Sequence, residues 1–476
     1  MDMVRPFLHL LLIIAFCFAP AHVRADGLLH LIGIRGNEAT TRAFAEKNHL
    51  SELSTDTKEF DDGNTGVRFT APVNELPVVI LLPVKMTTNQ FMEALIKVRT
   101  AKALGAPTVS ILVPGNLEKI EIVDAGGTRI PLHVAPLLKE AGTDSVKEGD
   151  TPMAPLPQLG KTEKALVISQ NYLWNPSQES LGKGIAEKTG IAAYPERSND
   201  SLKGSRVFLI SDNRSTRNDS LFWDLSRVQK LKKRGAQVFR IPGYLDYSRA
   251  DKIDQPGITT VGRLAADLIE AAGTDEIAFV RAHAPQSSGF FKIPVHNISG
   301  RPTLSGYLRD KNVDLIISPD NGFAKDATLY ADDLGLPAPK VLNKQRNPVT
   351  QETEFKGGSD LSDVRGKVVA IIDDETASGK TQHKAAKVLK EAGAVKVIAI
   401  VTHKTGTAEV ALQSPYIDEV VVTNTLPVRD SNHPKLRVID ISGEIAQELR
   451  ATKILNPDPK RCTPQAFVHA LRELSL

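Results

Sequence analysis

The residues with the clearest chemical use lie between Val368 and Thr381. An apolar run leads to two adjacent carboxylates, Asp373 and Asp374. A small turn follows, Ser378, Gly379, Lys380 and Thr381, and then a helix-like segment, His383–Ala392. The run lacks the alternation of a half-exposed strand and reads as a buried parallel one. A turn at its carboxyl end falls where open α/β sheets bind ligands. Backbone N–H groups at a helix start, with the hydroxyls of Ser378 and Thr381, can converge on a phosphate. Asp373 and Asp374 can accept hydrogen bonds from sugar hydroxyls or hold a hard cation. Phosphate and polyol chemistry side by side point to a sugar phosphate. The plainer reading is a solvated strand-to-helix turn with Ser378 as its N-cap, which suits the two aspartates alone but not the whole constellation. A Walker A loop needs a glycine five residues before Gly379-Lys380-Thr381; that position is Asp374, and the pattern fails.

The elements that must position these groups belong to a chain of 476 residues, too long for one core, so two or three α/β domains are expected. Hydrophobic content of 41% and charged content of 24% are ordinary for a globular protein, and a net charge of +3 gives no electrostatic case for nucleic acid or an anionic membrane. The N-terminus reads as an export signal over residues 1–25. Arg5 precedes the apolar segment Phe7–Phe18, and Val23 and Ala25 sit at the −3 and −1 places of a cleavage site. The segment is short for a membrane span; the alternative is an uncleaved anchor. Cleavage after Ala25 predicts a periplasmic or secreted protein with no membrane attachment. It leaves Cys462 as the one cysteine, so no intramolecular disulfide is available.

From Gly27 onward short apolar runs alternate with helix-like stretches, which predicts parallel sheets. Expected strands include Leu28–Ile34, Val78–Pro83, Val207–Ser211, Val313–Ser318, Val368–Asp373 and Asp418–Thr423. Gly149–Lys164 reads as a linker, and the polar stretch Asn343–Asp363 as a long mobile loop. An internal repeat is also readable. Val78–Val84, Asn89, a helix, Thr108–Pro114 and Leu138–Asp144 parallel Val207–Ser211, Asn218, a helix, Ala236–Pro242 and Ile269–Asp275. Both copies end in Ala-Gly-Thr-Asp. The pattern suggests duplication of one domain, although any two βαβ units share some likeness.

With those motifs in view, Ala165–Leu476 resembles the ribose-phosphate diphosphokinase (PRPP synthetase) family. The resemblance implies tandem phosphoribosyltransferase-like α/β domains with parallel sheets flanked by helices. It divides the chain into a signal peptide (1–25), an extra N-type domain (26–148), a linker (149–164), an N-type domain (165–305) and a C-type domain (306–476). It implies transfer of diphosphate from ATP to ribose 5-phosphate with Mg²⁺, and a homo-oligomeric assembly. Ala282-His283-Ala284 with Gly289-Phe290-Phe291 matches the family's metal-binding segment, so His283 is the implied ligand. Asp320 of Ser318-Pro319-Asp320 is the second. Lys344 and Arg346 match the catalytic pair at the head of a loop. Arg249 and Asp251 match the ATP-side motif that follows Tyr247. Asp373, Asp374, Ser378, Gly379, Lys380 and Thr381 are the implied ribose 5-phosphate site.

This sequence departs from the family pattern in places. Ala377 stands where an acidic residue is usual, and Lys380 where a second glycine is. The second block has no clean adenine loop, but the first contains Phe60-Asp61-Asp62-Gly63-Asn64. The first domain could therefore supply Phe60 and Asp62 to ATP from within the same chain; the alternative is a degenerate structural repeat. Two functions compete: the Mg²⁺-dependent enzyme, and an exported homologue of weak or no activity that binds nucleotide or sugar phosphate as a regulator or scaffold.

Overall fold

The structure, a computed structural model, describes residues 30–451 apart from 37, 48–50, 61–63, 71–72, 74–76, 84, 114–119, 145–163, 169–175, 194–200, 204, 212–216, 347–352, 359 and 429–431. The export-signal segment, residues 149–163 of the expected linker and Asp62 lie outside the described residues, while Lys164, placed at the linker's end, opens a strand because it pairs with Ser205.

Three parallel sheets carry the chain. The first has the order Ser51–Glu52, His30–Ile32, Val78–Leu81, Val109–Leu112. The second runs Ala192–Ala193, Lys164–Ile168, Ser205–Ile210, Gln237–Gly243, Glu276–Val280, Val295–Ile298. Its first four strands repeat the order of the first sheet. The third runs Thr353–Gly358, Lys340–Arg346, Leu315–Ser318, Val368–Thr376, Lys396–Lys404, Glu419–Thr423, Leu436–Ile439, parallel except at the first pair. Their apolar runs are buried because helices cover both faces, as parallel sheets require. Among the described residues no helix is long and apolar enough to cross a membrane.

The first and second sheets share one continuous core. Helix Thr88–Ala103 packs on Arg217–Lys233, and Val134–Ala141 packs on Val261–Ala271. Each helix therefore meets its own counterpart in the sequence repeat. Phe91 and Phe222 meet with ring centroids 5.2 Å apart. Asn218 Nδ2 donates to Asn89 Oδ1 at 2.8 Å, joining the two asparagines that correspond in the repeat. Contact between like positions is the mark of an approximate two-fold axis. Phobic contact is supplemented by an ion pair, Arg99 to Asp267 at 2.8 Å.

The shared Ala-Gly-Thr-Asp ending has a local physical cause. Asp144 accepts from the Val109 N–H at 2.6 Å, and Asp275 from the Val238 N–H at 2.7 Å, so each aspartate ties the end of a helix to the start of a strand. Asp314 and Asp418 do the same for Val368 and Val397 in the third sheet. The aspartate is thus a strand-entry device found at four places among the described residues, and it distinguishes the repeat less than strand order does.

Two further differences from the sequence expectations matter. Strand Val368–Thr376 runs three residues beyond Asp373, because its pairing with Lys396–Lys404 continues to Thr376 opposite Lys404. The polar stretch expected as a mobile loop instead forms an antiparallel ribbon, Lys340–Arg346 with Thr353–Gly358. A two-stranded ribbon satisfies its backbone internally, so it needs no apolar periodicity to form. The last described helix, Ser442–Ala451, packs on Pro176–Thr189 and shares a core with the second sheet, which binds the ends of the two blocks together.

Candidate active site

The extended strand delivers three acids, not two, to the crevice between the second and third sheets. Asp373 accepts from Gln382 Nε2 at 2.9 Å, and Gln382 Oε1 in turn accepts from the Thr376 hydroxyl at 3.1 Å. Asp374 is 6% exposed and accepts from the Glu375 N–H at 2.8 Å. Its Oδ2 lies 2.5 Å from His283 Nδ1. Burial pushes the Asp374 carboxyl upward, but the His283 bond and charge, with smaller help from Asp373 and Arg281, hold it at about 2. Burial pushes His283 down; its bond to Asp374 and the charges of Asp374 and Glu375 outweigh that and raise it above the ordinary histidine value. The two side chains thus meet in one close contact, His283 Nδ1 to Asp374 Oδ2, at the inner edge of the crevice.

Glu375 is the residue that sequence reasoning missed. Tyr244 donates its hydroxyl to Glu375 Oε2 at 3.0 Å, and Arg249 Nε pairs with Oε1 at 2.8 Å. The second sheet thus contacts the third through two adjacent acids, His283 on Asp374 and Arg249 on Glu375. The only sequence signal was the third acid in the run, which becomes meaningful once the strand is known to continue through it. His403 lies opposite Glu375 in the strand register. Its Nε2 lies 3.0 and 2.9 Å from the Val280 and Arg281 carbonyls, so that nitrogen carries the proton, while Nδ1 accepts from Thr425 Oγ1 at 2.8 Å. Burial depresses its pKa to about 4, which keeps it neutral.

Beyond the acids the chain turns sharply. The carbonyls of Thr376, Ala377 and Ser378 accept from the N–H groups of Thr405, Ala408 and Val410 at 2.9, 2.7 and 3.0 Å. Gly379 has φ +84°, and a Cβ there would sit 2.5 Å from the Ala411 Cβ, so only glycine fits. Helix Lys380–Glu391 begins at once. With the carbonyls turned into the neighbouring loop, the N–H groups of Ser378, Gly379, Lys380 and Thr381 have no hydrogen-bond partner among the described residues. This is a concave anion cradle at a helix start.

Just before helix Ala324–Leu334, Asp320 Oδ1 accepts from the Phe323 N–H at 3.2 Å, and the Asp320 carbonyl accepts from Ser318 Oγ at 2.7 Å. Asp251 accepts from Gln286 Nε2 at 2.5 Å, and Arg249 is half exposed beside it in sequence. Lys344 and Arg346 lie on the ribbon, opposite Phe355 and Thr353. Phe60 stands at the end of a hairpin, Thr55–Glu59 with Thr65–Phe69, and is half exposed. That hairpin belongs to the first block but is rooted on the second. The Thr65 N–H donates to the Tyr247 hydroxyl at 3.2 Å, Asn218 Nδ2 donates to Thr65 Oγ1 at 3.0 Å, and Phe69 N–H donates to the Gly257 carbonyl at 2.8 Å. A Cβ on Gly257 would collide with the Phe69 carbonyl oxygen. Phe60 is therefore carried by an element fixed to Tyr247, two residues before Arg249. Among the described residues no group of three or more His, Cys, Asp and Glu side chains is poised to hold a metal ion.

An open α/β crevice with an anion cradle on one side and basic groups on the other defines a phosphoribosyltransferase-like protein. The comparisons agree. The model of the phosphoribosyl synthetase-associated domain matches residues 336–458. A ribose-phosphate pyrophosphokinase of Helicobacter hepaticus is 34% identical over 276 residues, covering 57% of this chain and 88% of the relative. One of Aquifex aeolicus is 34% identical over 259 residues, covering 53% and 82%. The crystal structure of phosphoribosylpyrophosphate synthetase from Mycobacterium smegmatis superposes with a TM-score of 0.53 at 27% identity, covering 62% of this chain and 99% of that one. The chain belongs to the ribose-phosphate pyrophosphokinase family.

Proposed function

We propose that this protein is a ribose-phosphate diphosphokinase. The anomeric oxygen of ribose 5-phosphate attacks the β-phosphorus of ATP, the bond from that phosphorus to the α–β bridging oxygen breaks, and AMP leaves. The products are PRPP and AMP, and the hydroxyl proton passes to water. The observation that carries this reading is the contact of His283 and Arg249 with Asp374 and Glu375, four and three residues ahead of the anion cradle. It sets nucleotide-side groups beside a sugar-phosphate loop.

In this reading the N–H groups of Ser378, Gly379, Lys380 and Thr381 hold the 5-phosphate, and Asp373 and Asp374 face the ribose. Arg249, Asp251, Phe60 and Asp62 bind ATP, with Phe60 supplied by the first block within the same chain. The rooting of its hairpin on Tyr247 supports that assignment. Lys344 and Arg346 act on the transferring group, where positioned charge supplies most of the rate. His283 and Asp320 would hold Mg²⁺. One imidazole and one carboxylate suit an ion that keeps waters and substrate phosphate oxygens as its other ligands, not a cage made by protein alone. When bound, Mg²⁺ neutralises phosphate oxygens as charge develops on them.

Export with cleavage after Ala25, duplication of the N-type domain and the boundaries given above belong to the same proposal. The strand order shared by the first two sheets and the Asn89–Asn218 contact support the duplication. A second reading, a weakly active or inactive binding protein, is favoured by one observation: Glu375 holds Arg249, so ATP phosphates must compete with a carboxylate for that guanidinium. The deciding experiment incubates purified 26–476 with ATP, Mg²⁺ and ribose 5-phosphate and reads AMP and PRPP. Stoichiometric AMP and PRPP support the enzyme; binding of ribose 5-phosphate without AMP supports the second reading.

A further inference from the structure

The two side chains assigned to the metal stand on different sheets, and the structure contains a tie between the loops that carry them. Arg281, two residues before His283, extends to the first turn of helix Ala324–Leu334. Its Nη1 donates to Asp326 Oδ1 at 2.9 Å, and its Nη2 pairs with Oδ2 at 2.7 Å. The guanidinium also covers the Phe323 ring at 4.5 Å from its centroid. Phe323 is the residue whose N–H is held by Asp320. One side chain thus spans from the His283 turn to the Asp320 turn. The guanidinium is 13% exposed, so this bidentate pair is largely shielded from water and salt.

The backbone at Arg281 is bound on the other side as well. Its carbonyl accepts from His403 Nε2 at 2.9 Å, and its N–H donates to the Ile298 carbonyl at 2.8 Å. Its φ is +34°, a conformation that costs a side-chain-bearing residue energy and persists only where surrounding contacts determine it. Joining the sheets does not require this tie, since helix Ser442–Ala451 and the Glu375 contacts already do that. What it determines is the relative placement of two turns.

Building on the diphosphokinase reading, we infer that Arg281 is a positioning residue. Its clamp on Asp326 fixes the spacing of His283 from Asp320 and so sets the affinity of the site for the Mg²⁺–nucleotide complex. The chemistry needs only a salt link of that length, so reversal of the two charges should preserve it. Aspartate also tolerates a positive φ better than most residues.

The test compares the parent with Arg281→Ala and with the reversed double variant Arg281→Asp plus Asp326→Arg. Expected for Arg281→Ala is an increase of about tenfold or more in the Mg²⁺ concentration for half-maximal rate, with kcat reduced and the KM for ribose 5-phosphate within about twofold of the parent. The reversed pair should return the Mg²⁺ requirement to within about threefold. A second readout does not depend on turnover. Spin labels on Gly289→Cys and Lys325→Cys, in a Cys462→Ser background, report the spacing of the two turns by electron–electron dipolar coupling. The distance distribution should broaden in Arg281→Ala and narrow again in the reversed pair. If the parent forms no AMP, the diphosphokinase reading fails and the spin-label distances decide the clamp alone. An unchanged distribution in Arg281→Ala, or a reversed pair that folds poorly or stays broad, overturns the inference.

Discussion

At the scale of single residues, His403 makes a pH prediction whose sign is fixed by burial. His403 is neutral in the folded state with a pKa of about 4, against about 6.5 when unfolded. Between those values the unfolded chain binds a proton that the folded chain does not. Stability therefore rises with pH across that window and is lost as pH falls through it, by about 3 kcal/mol for this group alone. His403→Gln keeps an amide donor for the two carbonyls and an acceptor for Thr425 but cannot titrate. The difference in melting temperature between parent and variant should shrink on acidification from pH 7 to 4; parallel profiles would show that His403 does not carry the dependence. A second prediction concerns Gly379. With φ +84° and Ala411 against it, Gly379→Ala must shift the cradle, and affinity for ribose 5-phosphate should fall by about tenfold or more in calorimetry. Much of this chemistry was legible before any coordinates, because aspartates, hydroxyls and glycine at a strand end carry their use in their types. Glu375, Tyr244 and Arg281 were not legible: their roles come from partners 131 residues away for Tyr244 with Glu375 and 45 residues away for Arg281 with Asp326, which only packing reveals.

At the scale of elements, the strands were read well and the polar ribbon was not. Buried parallel strands advertise themselves as unbroken apolar runs. The ribbon Lys340–Arg346 with Thr353–Gly358 has no such signal, since its backbone pairing does not require an unbroken apolar run. Its register places Lys344 and Arg346 on the same strand, opposite Phe355 and Thr353. Lys344→Ala or Arg346→Ala should lower kcat by about a hundredfold while leaving ribose 5-phosphate binding nearly unchanged, because charges that act on the transferring group count in the transition state. Stopped-rate assays beside calorimetry separate the two effects, and wild-type turnover in both variants would remove the role assigned to the ribbon. The hairpin Thr55–Phe69 makes an independent prediction. If it carries the adenine contact, Phe60→Ala should raise the KM for ATP several-fold, with the loss of one stacked ring costing about 1 kcal/mol, and leave that for ribose 5-phosphate alone. Equal changes in both constants would point to a general loosening of the site.

At the scale of the whole molecule, helices Thr88–Ala103 and Val134–Ala141 seal the faces of Arg217–Lys233 and Val261–Ala271, as a second copy of the domain would. Here the sealing partner is part of the same polypeptide. Association between separate subunits obeys mass action, and a site completed by a neighbour empties of that neighbour at high dilution. A covalent link replaces that equilibrium with a fixed local concentration, in the millimolar range for short flexible connections. The hairpin bearing Phe60 therefore stays over Tyr247 however thinly the protein is spread. Specific activity should hold constant from micromolar to nanomolar protein, where an enzyme completed by a separate subunit would lose it.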